Sequence, residues 1–281
     1  MTIKCRSCNS SNTNCVFNSK NIHGHHYVSA DKFTIYFCRH CHTYFLDNIE
    51  KQTKYYSRYY QPNYYQSNSF LTKILMYITF TLKKIRIQKH FKKPSSISIL
   101  DIGCGQGEFL SFLPNNFKKY GVEINKTASK KISAYGIKIF TGDINTTNFG
   151  STKFDCVTMW HVLEHLPRPQ LTLKKINRLL KPGGVLLFST PNSQSLGFKY
   201  GQKHYFHLDF PRHLFIPCQK SLAMLLKTSG FSKYKFSYPF YDFPLDLFWS
   251  LRHSLLKYLV YPFYPLFKLL SPETLLTTVY K

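Results

Sequence analysis

The sequence predicts an α/β protein with a doubly wound, mostly parallel sheet, preceded by a small cysteine-rich module. Three observations predict it. From residue 98 to 190, short apolar runs alternate with segments of helical period, the mark of successive βαβ units. The first run ends in a glycine-rich turn that opens a helix, Leu100-Asp101-Ile102-Gly103-Cys104-Gly105-Gln106-Gly107-Glu108. Two C-x-x-C pairs, Cys5/Cys8 and Cys38/Cys41, stand close to the N-terminus.

Composition sets the limits. A chain of 281 residues with 43% hydrophobic side chains can bury one catalytic-size core plus small additions. Lys and Arg number 38 against 13 acids, a net charge of +25. That balance suits nucleic acid or an anionic membrane surface, and is also met where charge is spread over solvated faces. No charged start leads into an apolar stretch with a small-residue cleavage site. The expected location is therefore cytoplasmic and reducing, with contact at the inner membrane face as an option. In that setting paired cysteines read as metal ligands rather than disulfides.

The elements follow in order. Residues 1–47 form the module. Each C-x-x-C turn offers two thiolates, so Cys5, Cys8, Cys38 and Cys41 can complete a tetrahedral Zn²⁺ site with no open position, a structural role. Phe33–Phe37 is a strand leading into the second turn, as in a zinc ribbon. Asn9 and His42 occupy places where such turns usually carry glycine. Asn accepts a left-handed backbone more readily than His, so an irregular second turn is expected. Cys15, His23, His25 and His26 are reserve ligands. Loss of zinc should unfold the module alone. Residues 48–94 are a linker with a Tyr-rich stretch, Tyr55–Tyr60, and a basic amphipathic helix over 70–91 that Pro94 ends.

The core domain is placed at 95–236. Strands are expected at 98–102, 120–123, 137–141, 154–160 and 185–190. Helices are expected at 108–113, 127–135, 169–180 and 221–230. Lys181-Pro182-Gly183-Gly184 reads as a sharp exit from helix to strand. Residues 237–281, rich in Phe, Tyr, Leu and Pro, complete the domain or contact a membrane. No run there reaches the 18 apolar residues of a spanning helix.

The turn after the first strand is built for a ligand. Glycines let the backbone approach closely. Glu123, at the tip of the second strand, can accept both hydroxyls of a ribose. Asp143, after the third strand, can meet an adenine amino group. With Asp101 before the first glycine, three acids line the crevice. They suit a cationic sulfonium amino acid and would repel a pyrophosphate.

Together, Asp101–Gly107, Glu123, Asp143, Phe154–Pro169 and Lys181–Gly184 resemble the class I S-adenosylmethionine-dependent methyltransferases over about residues 97 to 231. The resemblance implies a seven-stranded Rossmann-like sheet. It places Gly103 and Gly105 beside the methionine part of S-adenosylmethionine, Asp101 near its ammonium end, Glu123 on ribose and Asp143 on adenine, with Gly107 a further cofactor-binding residue. Trp160 lines the same crevice.

The fourth strand runs into Trp160-His161-Val162-Leu163-Glu164-His165-Leu166-Pro167. Reacting groups in open α/β sheets gather at such strand ends. His165, His161 and Glu164, with His213 further on, are the catalytic candidates, since a neutral imidazole can take an acceptor's proton near neutral pH. The stretch resembles the E-H-x-x-x-P segment of ubiquinone-biosynthesis O-methyltransferases, some of which hold a divalent cation there. His161 stands where an acid would be needed, which argues against the ion. A structural role for the histidines stays open. Ser189–Asn192 and Pro211–Leu214 resemble T-P-N and P-R-H-L segments of methyltransferases of polysaccharide and lipid biosynthesis. They offer His207 and Arg212 to the acceptor, with His204 as a further base.

The implied function is methyl transfer to a sugar, glycolipid or other small acceptor, with O-methylation ahead of C-methylation. An RNA base methyltransferase, using the zinc ribbon and the positive charge on phosphates, is the alternative. No [DN]-P-P-[FYW] motif or cysteine follows the fourth strand to support it.

Overall fold

A computed structural model describes residues 3–20, 32–46, 70–91, 96–126, 136–239, 242–243 and 245–281. The Tyr55–Tyr60 stretch, the helix expected at 127–135, and His23, His25 and His26 lie outside these residues.

The N-terminal module is a small antiparallel sheet. Strand β1 (Thr13–Lys20) pairs with β2 (Lys32–Cys38), and β2 with β3 (Tyr44–Leu46). Helix α1 (Phe70–Gln88) follows. The main domain then runs β4 (Ile97–Ile102), α2 (Glu108–Phe112), β5 (Phe117–Glu123), β6 (Lys138–Thr141), β7 (Phe154–Trp160), α3 (Pro169–Leu179) and β8 (Leu180–Pro191). Beyond these come α4 (Leu196–Gly201), β9 (Phe215–Ile216), α5 (Gln219–Thr228) and β10 (Lys233–Ser237). The last elements are the short helices α6 (Asp246–Leu251), α7 (Lys257–Val260) and α8 (Tyr264–Leu270), and strand β11 (Thr274–Tyr280).

Seven strands make the central sheet in the order β10-β11-β8-β7-β4-β5-β6. The five from β8 to β6 are parallel, and β11 runs antiparallel between β8 and β10. Strand β4 is central and buried at every position, which explains its unbroken apolar reading. Its side chains alternate between two cores. Ile97 and Ile99 face Ile87 of α1 and Phe109 and Leu110 of α2. Leu100 and Ile102 face Leu173 and Ile176 of α3 and Leu222 and Leu225 of α5. Helices therefore cover both faces, as a doubly wound sheet requires.

Three local readings are changed or narrowed. Lys181–Gly184 is not an exit from a helix. Leu180 already pairs with Phe154, and the register then jumps so that Val185 pairs with Cys156. The Pro-Gly-Gly step, with Gly183 at φ 75°, is a bulge inside β8. Of the two options for residues 237–281, completion of the domain is seen, because β11 joins the sheet from the last residues. A threonine-rich run, Thr274-Leu275-Leu276-Thr277-Thr278-Val279-Tyr280, has the β-branched content of a strand. The cysteine-rich module, expected to unfold alone, is joined to the main domain. Strand β3 pairs antiparallel with β9, a two-residue strand of the main domain. The Leu46 amide donates to the Leu214 carbonyl at 3.0 Å. The Cys218 thiol lies 3.4 Å from the Cys41 carbonyl. Cys5, Cys38, Cys41 and Phe45 share one core with Leu214, Phe215 and Leu222.

Candidate functional site

The glycine turn lies at the carboxyl end of β4, between the tips of β5 and β7. Gly103, Gly105 and Gly107 all have positive φ, 72°, 58° and 78°, so any other residue there would be strained. At Gly103 a Cβ would also stand 2.5 Å from Cγ2 of Val162. Glu123 fixes the turn. Its Oε2 accepts the Gly105 amide at 3.0 Å and its Oε1 the Asn125 amide at 2.8 Å. Burial pushes the Glu123 carboxyl up, partly offset by those amides.

Asp101 is 3% exposed. Burial raises its carboxyl to about 7, and the Thr158 hydroxyl, donating at 2.6 Å, only partly offsets this. A buried acid with one neutral partner attracts a cationic ligand. Asp143, in contrast, is exposed, and its Oδ1 accepts the Asn145 amide at 2.7 Å. Trp160 packs edge-on against Phe109, with its indole Nε1 buried and without a hydrogen bond among the described residues.

Two residues that the sequence reading passed over enter here. Lys83 of α1 is buried, sits 4.5 Å above the Trp160 ring and lies 3.8 Å from Asp242. Asp242 in turn lies 3.7 Å from His161 Nε2. Each is hidden in sequence, one in a basic helix and the other in an aromatic run. The only cue was that a lone acid in such a run needs a partner once buried.

Beyond the tip of β7 the histidines gather. His161 adopts a left-handed backbone, φ 54°, uncommon for a bulky residue and frequent where function holds a side chain in place. Burial works against its charged form, but Asp242 and Glu164 outweigh that and raise it to about 9. His161 Nδ1 is 3.3 Å from Glu164 Oε1. Glu164 is fully buried, and neither carboxylate oxygen has a hydrogen bond among the described residues. His165 Nδ1 donates to the Arg212 carbonyl at 2.9 Å, and His213 Nδ1 donates to the His207 carbonyl at 2.7 Å. Burial pushes both imidazoles down, toward the neutral form. Their rings are 4.7 Å apart. One donor atom each of Glu164, His165 and His213 lies within 4.8 Å of the others.

The remaining expected acceptor residues are already engaged. Arg212 is ion-paired with Asp209. His207 is buried, with Nε2 3.1 Å from Asp246, and it stacks against His161 at 6.0 Å. His204 sits away from this group, against His253 at 4.2 Å.

In the module, the sulfur atoms of Cys5, Cys8, Cys38 and Cys41 all lie within 4.8 Å of one another. The second turn is not irregular. Asn9 and His42 have φ of 62° and 64°, and each donates its amide to the first cysteine of its turn at 2.8 Å. Histidine adopts the left-handed conformation because the two turns must be equivalent to present four sulfurs to one point. Cys15 is exposed and outside the group.

With this geometry described, the comparisons with known proteins can be set beside it. The methyltransferase domain family model matches residues 78–235, more than half of the chain. Among curated proteins, the chain is similar to a demethylmenaquinone methyltransferase of Staphylococcus saprophyticus, 28% identical over 138 residues, covering 45% of this chain and 58% of that one. It is similar also to a ubiquinone biosynthesis O-methyltransferase of Coxiella burnetii, 30% identical over 125 residues, covering 39% and 51%. The chain thus spans about half the length of these relatives. Among solved structures, a possible histamine N-methyltransferase of Thermotoga maritima matches with a TM-score of 0.51 at 17% identity, covering 83% of this chain and 97% of that one. The plantazolicin methyltransferase matches at 0.54 and 17%, covering 83% and 91%. These structural likenesses speak to the fold. The sheet order, the glycine turn held by Glu123 and the family match agree: the chain belongs to the methyltransferase domain family of S-adenosylmethionine-dependent enzymes.

Proposed function

We propose that this protein transfers a methyl group from S-adenosylmethionine to a hydroxyl of a small acceptor, with a sugar, glycolipid or other lipid-linked compound as the class. The observation that carries the reading is the pair His165 and His213. Both are held neutral, with Nδ1 committed to a backbone carbonyl, beside a cofactor turn lined by acids. That commitment leaves Nε2 as the basic nitrogen. The cofactor supplies an electrophilic methyl on a positively charged sulfur.

Asp101 draws the ammonium end. Glu123 holds the turn through Gly105 and offers its carboxylate to ribose, and Asp143 meets adenine. Gly103 and Gly107 keep the crevice clear, and Trp160 closes its side. His165 would accept the acceptor's hydroxyl proton, so that the oxygen could take the methyl group which the bound cofactor would supply. His161, charged between Glu164 and Asp242, stabilises the carboxylate-rich wall, and His213 backs His165. His207 and Arg212 shape the acceptor side through Asp246 and Asp209. Four cysteine thiolates holding one Zn²⁺ fix the module against β9.

A second reading is favoured by one observation, the buried carboxylate of Glu164, ion-paired with His161 but without a hydrogen bond among the described residues, beside the imidazoles of His165 and His213. There a divalent ion would activate the hydroxyl in place of a base. The test is methyl-label transfer from S-adenosylmethionine to cell fractions sorted into lipid, glycan, RNA and protein, with and without chelator. Label in lipid or glycan that survives chelation, and falls by about 10²–10⁴-fold in His165→Ala, is the expected result. Label lost on chelation and restored by a divalent ion supports the metal reading. Label confined to RNA overturns the acceptor class and favours a base methyltransferase.

A further inference from the structure

Helices α6 to α8 present an outer surface that does not fit exposure to water. Along this stretch Leu255, Leu259, Phe263, Leu266 and Leu270 are 83%, 56%, 58%, 54% and 69% exposed. They recur every three or four residues as an apolar stripe that runs over two short helices and the turns between them, widened by Tyr258 and Leu269 at 70% and 62% exposed. The opposite side is apolar too. Val260 is buried with Leu247 and Leu251, and Tyr261, Tyr264 and Phe267 pack against them. A segment apolar on both sides belongs in a core or against a non-aqueous surface.

Its charges are sorted. The acids of this part of the chain, Asp242, Asp246 and Glu273, are 4%, 1% and 0% exposed. Asp246 is tied down by Lys268 and His207. The charge at the surface is cationic, at exposed Arg252 and half-buried Lys257, whose ammonium donates to the Arg252 carbonyl at 3.3 Å. Those two line an open groove of about 470 Å³ together with Phe248, Tyr258, Tyr261 and Pro262. An aromatic-walled groove with two cations at its rim suits a phosphate on an apolar tail. No helix among the described residues is long and apolar enough to cross a membrane, so contact would be at the surface.

We infer that the outer face of α6–α8 docks on an anionic lipid bilayer, with the stripe among the acyl chains and a lipid phosphate between Arg252 and Lys257. This face backs directly onto the histidine cluster. Phe243, at the start of the segment, lies 5.0 Å from the His161 ring and 5.2 Å from the His207 ring. Docking therefore brings the bilayer to the wall of the acceptor crevice. The inference does not depend on the acceptor's identity, and its test does not use methyl transfer.

The experiment is flotation of the full chain with phosphatidylcholine vesicles, with and without phosphatidylglycerol. Trp249 fluorescence, from a side chain 43% exposed in α6, is recorded in parallel. Expected are binding that requires phosphatidylglycerol and weakens with salt, and a blue shift of Trp249. The variant Leu259→Asp/Phe263→Asp/Leu266→Asp should lose more than about tenfold in vesicle affinity. Arg252→Glu/Lys257→Glu should lose the preference for phosphatidylglycerol. Unchanged S-adenosylmethionine binding in both variants shows that they fold. No flotation with phosphatidylglycerol at low salt, or equal flotation of the triple variant, overturns the inference. So does a dimer that the triple variant dissolves without vesicle binding, since the stripe would then face a second copy.

Discussion

Replacing Asp101 by Asn tests the cofactor site through a single proton. The buried carboxyl of Asp101 is raised to about 7 in the free protein. Only its ionised form attracts a cationic ligand. With that value the ionised fraction is about 0.1 at pH 6 and about 0.9 at pH 8, so S-adenosylmethionine affinity should rise about tenfold over this range. The ligand's own amino group titrates nearby, at about 7.7–8.0, which trims the wild-type gain by about two- to threefold at pH 8 and leaves the rise up to pH 7.5 to Asp101. The ratio of wild-type to Asp101→Asn affinities, measured calorimetrically from pH 6 to 7.5, therefore isolates the residue.

The same proton gives a second readout. An acid raised on folding favours the folded state when protonated, and that stability is lost as pH climbs from the ordinary value of 3.8 to about 7. At about 1.4 kcal/mol per pH unit the full loss is at most about 4 kcal/mol, of which about 2 falls between pH 5 and 7. Asn carries no such penalty. The melting temperature of the ligand-free variant should gain on wild type by roughly 6 °C between pH 5 and 8. If the affinity ratio is flat with pH, or the melting difference does not move, Asp101 is not the buried acid described above and the ammonium assignment fails.

Other outcomes follow from the same geometry. Glu123→Ala, which frees the Gly105 and Asn125 amides as well as removing the ribose acceptor, should weaken S-adenosylmethionine binding by more than about tenfold in equilibrium dialysis. Gly103→Ala should abolish that binding in the same assay, because φ 72° and the Val162 contact leave its methyl no room. One zinc per chain is expected by elemental analysis, falling below half in Cys38→Ser. In that variant hydrogen exchange should quicken at 214–218 as well as in the module, because β9 loses its partner strand; protection unchanged at 214–218 would mean that the docking is independent of the metal. The value of about 9 for His161 predicts an imidazolium by NMR at pH 7.5, and Asp242→Asn should move that titration down.

Much of the fold was legible. Strand β7 and the α2 and α3 regions follow from apolar runs, a glycine opening and a proline start, all local signals. What was missed depends on distance along the chain. Strand β11 finds its place only by pairing with Val185–Pro191, far earlier in sequence, so the tail left completion of the domain and membrane contact both open. The bulge at Lys181–Gly184 was mistaken for a helix exit because Pro-Gly-Gly breaks either element. His42 was expected to distort its turn, yet the demand for matching sulfur positions overrides the local preference.

In the site, Asp101, Glu123 and the glycines were visible because their order and spacing carry the chemistry. The roles of His161 and His165 were not separable, since their environments differ only through Asp242 and the Arg212 carbonyl, neither adjacent in sequence. Lys83 was invisible for the same reason. Arg212 and His207 read as ligand-facing residues, but each meets an acid of the protein itself.

Strands β10 and β11 are antiparallel neighbours, so residues 238–273 are, in topological terms, an enlarged hairpin loop. Everything that walls the histidine cluster from that side is hung between two ladder strands whose pairing does not depend on it. Such a segment can lengthen, shrink or be exchanged for another without re-registering the sheet, and a graft at Ser237 and Thr274 could redirect the acceptor while the glycine turn stays as it is.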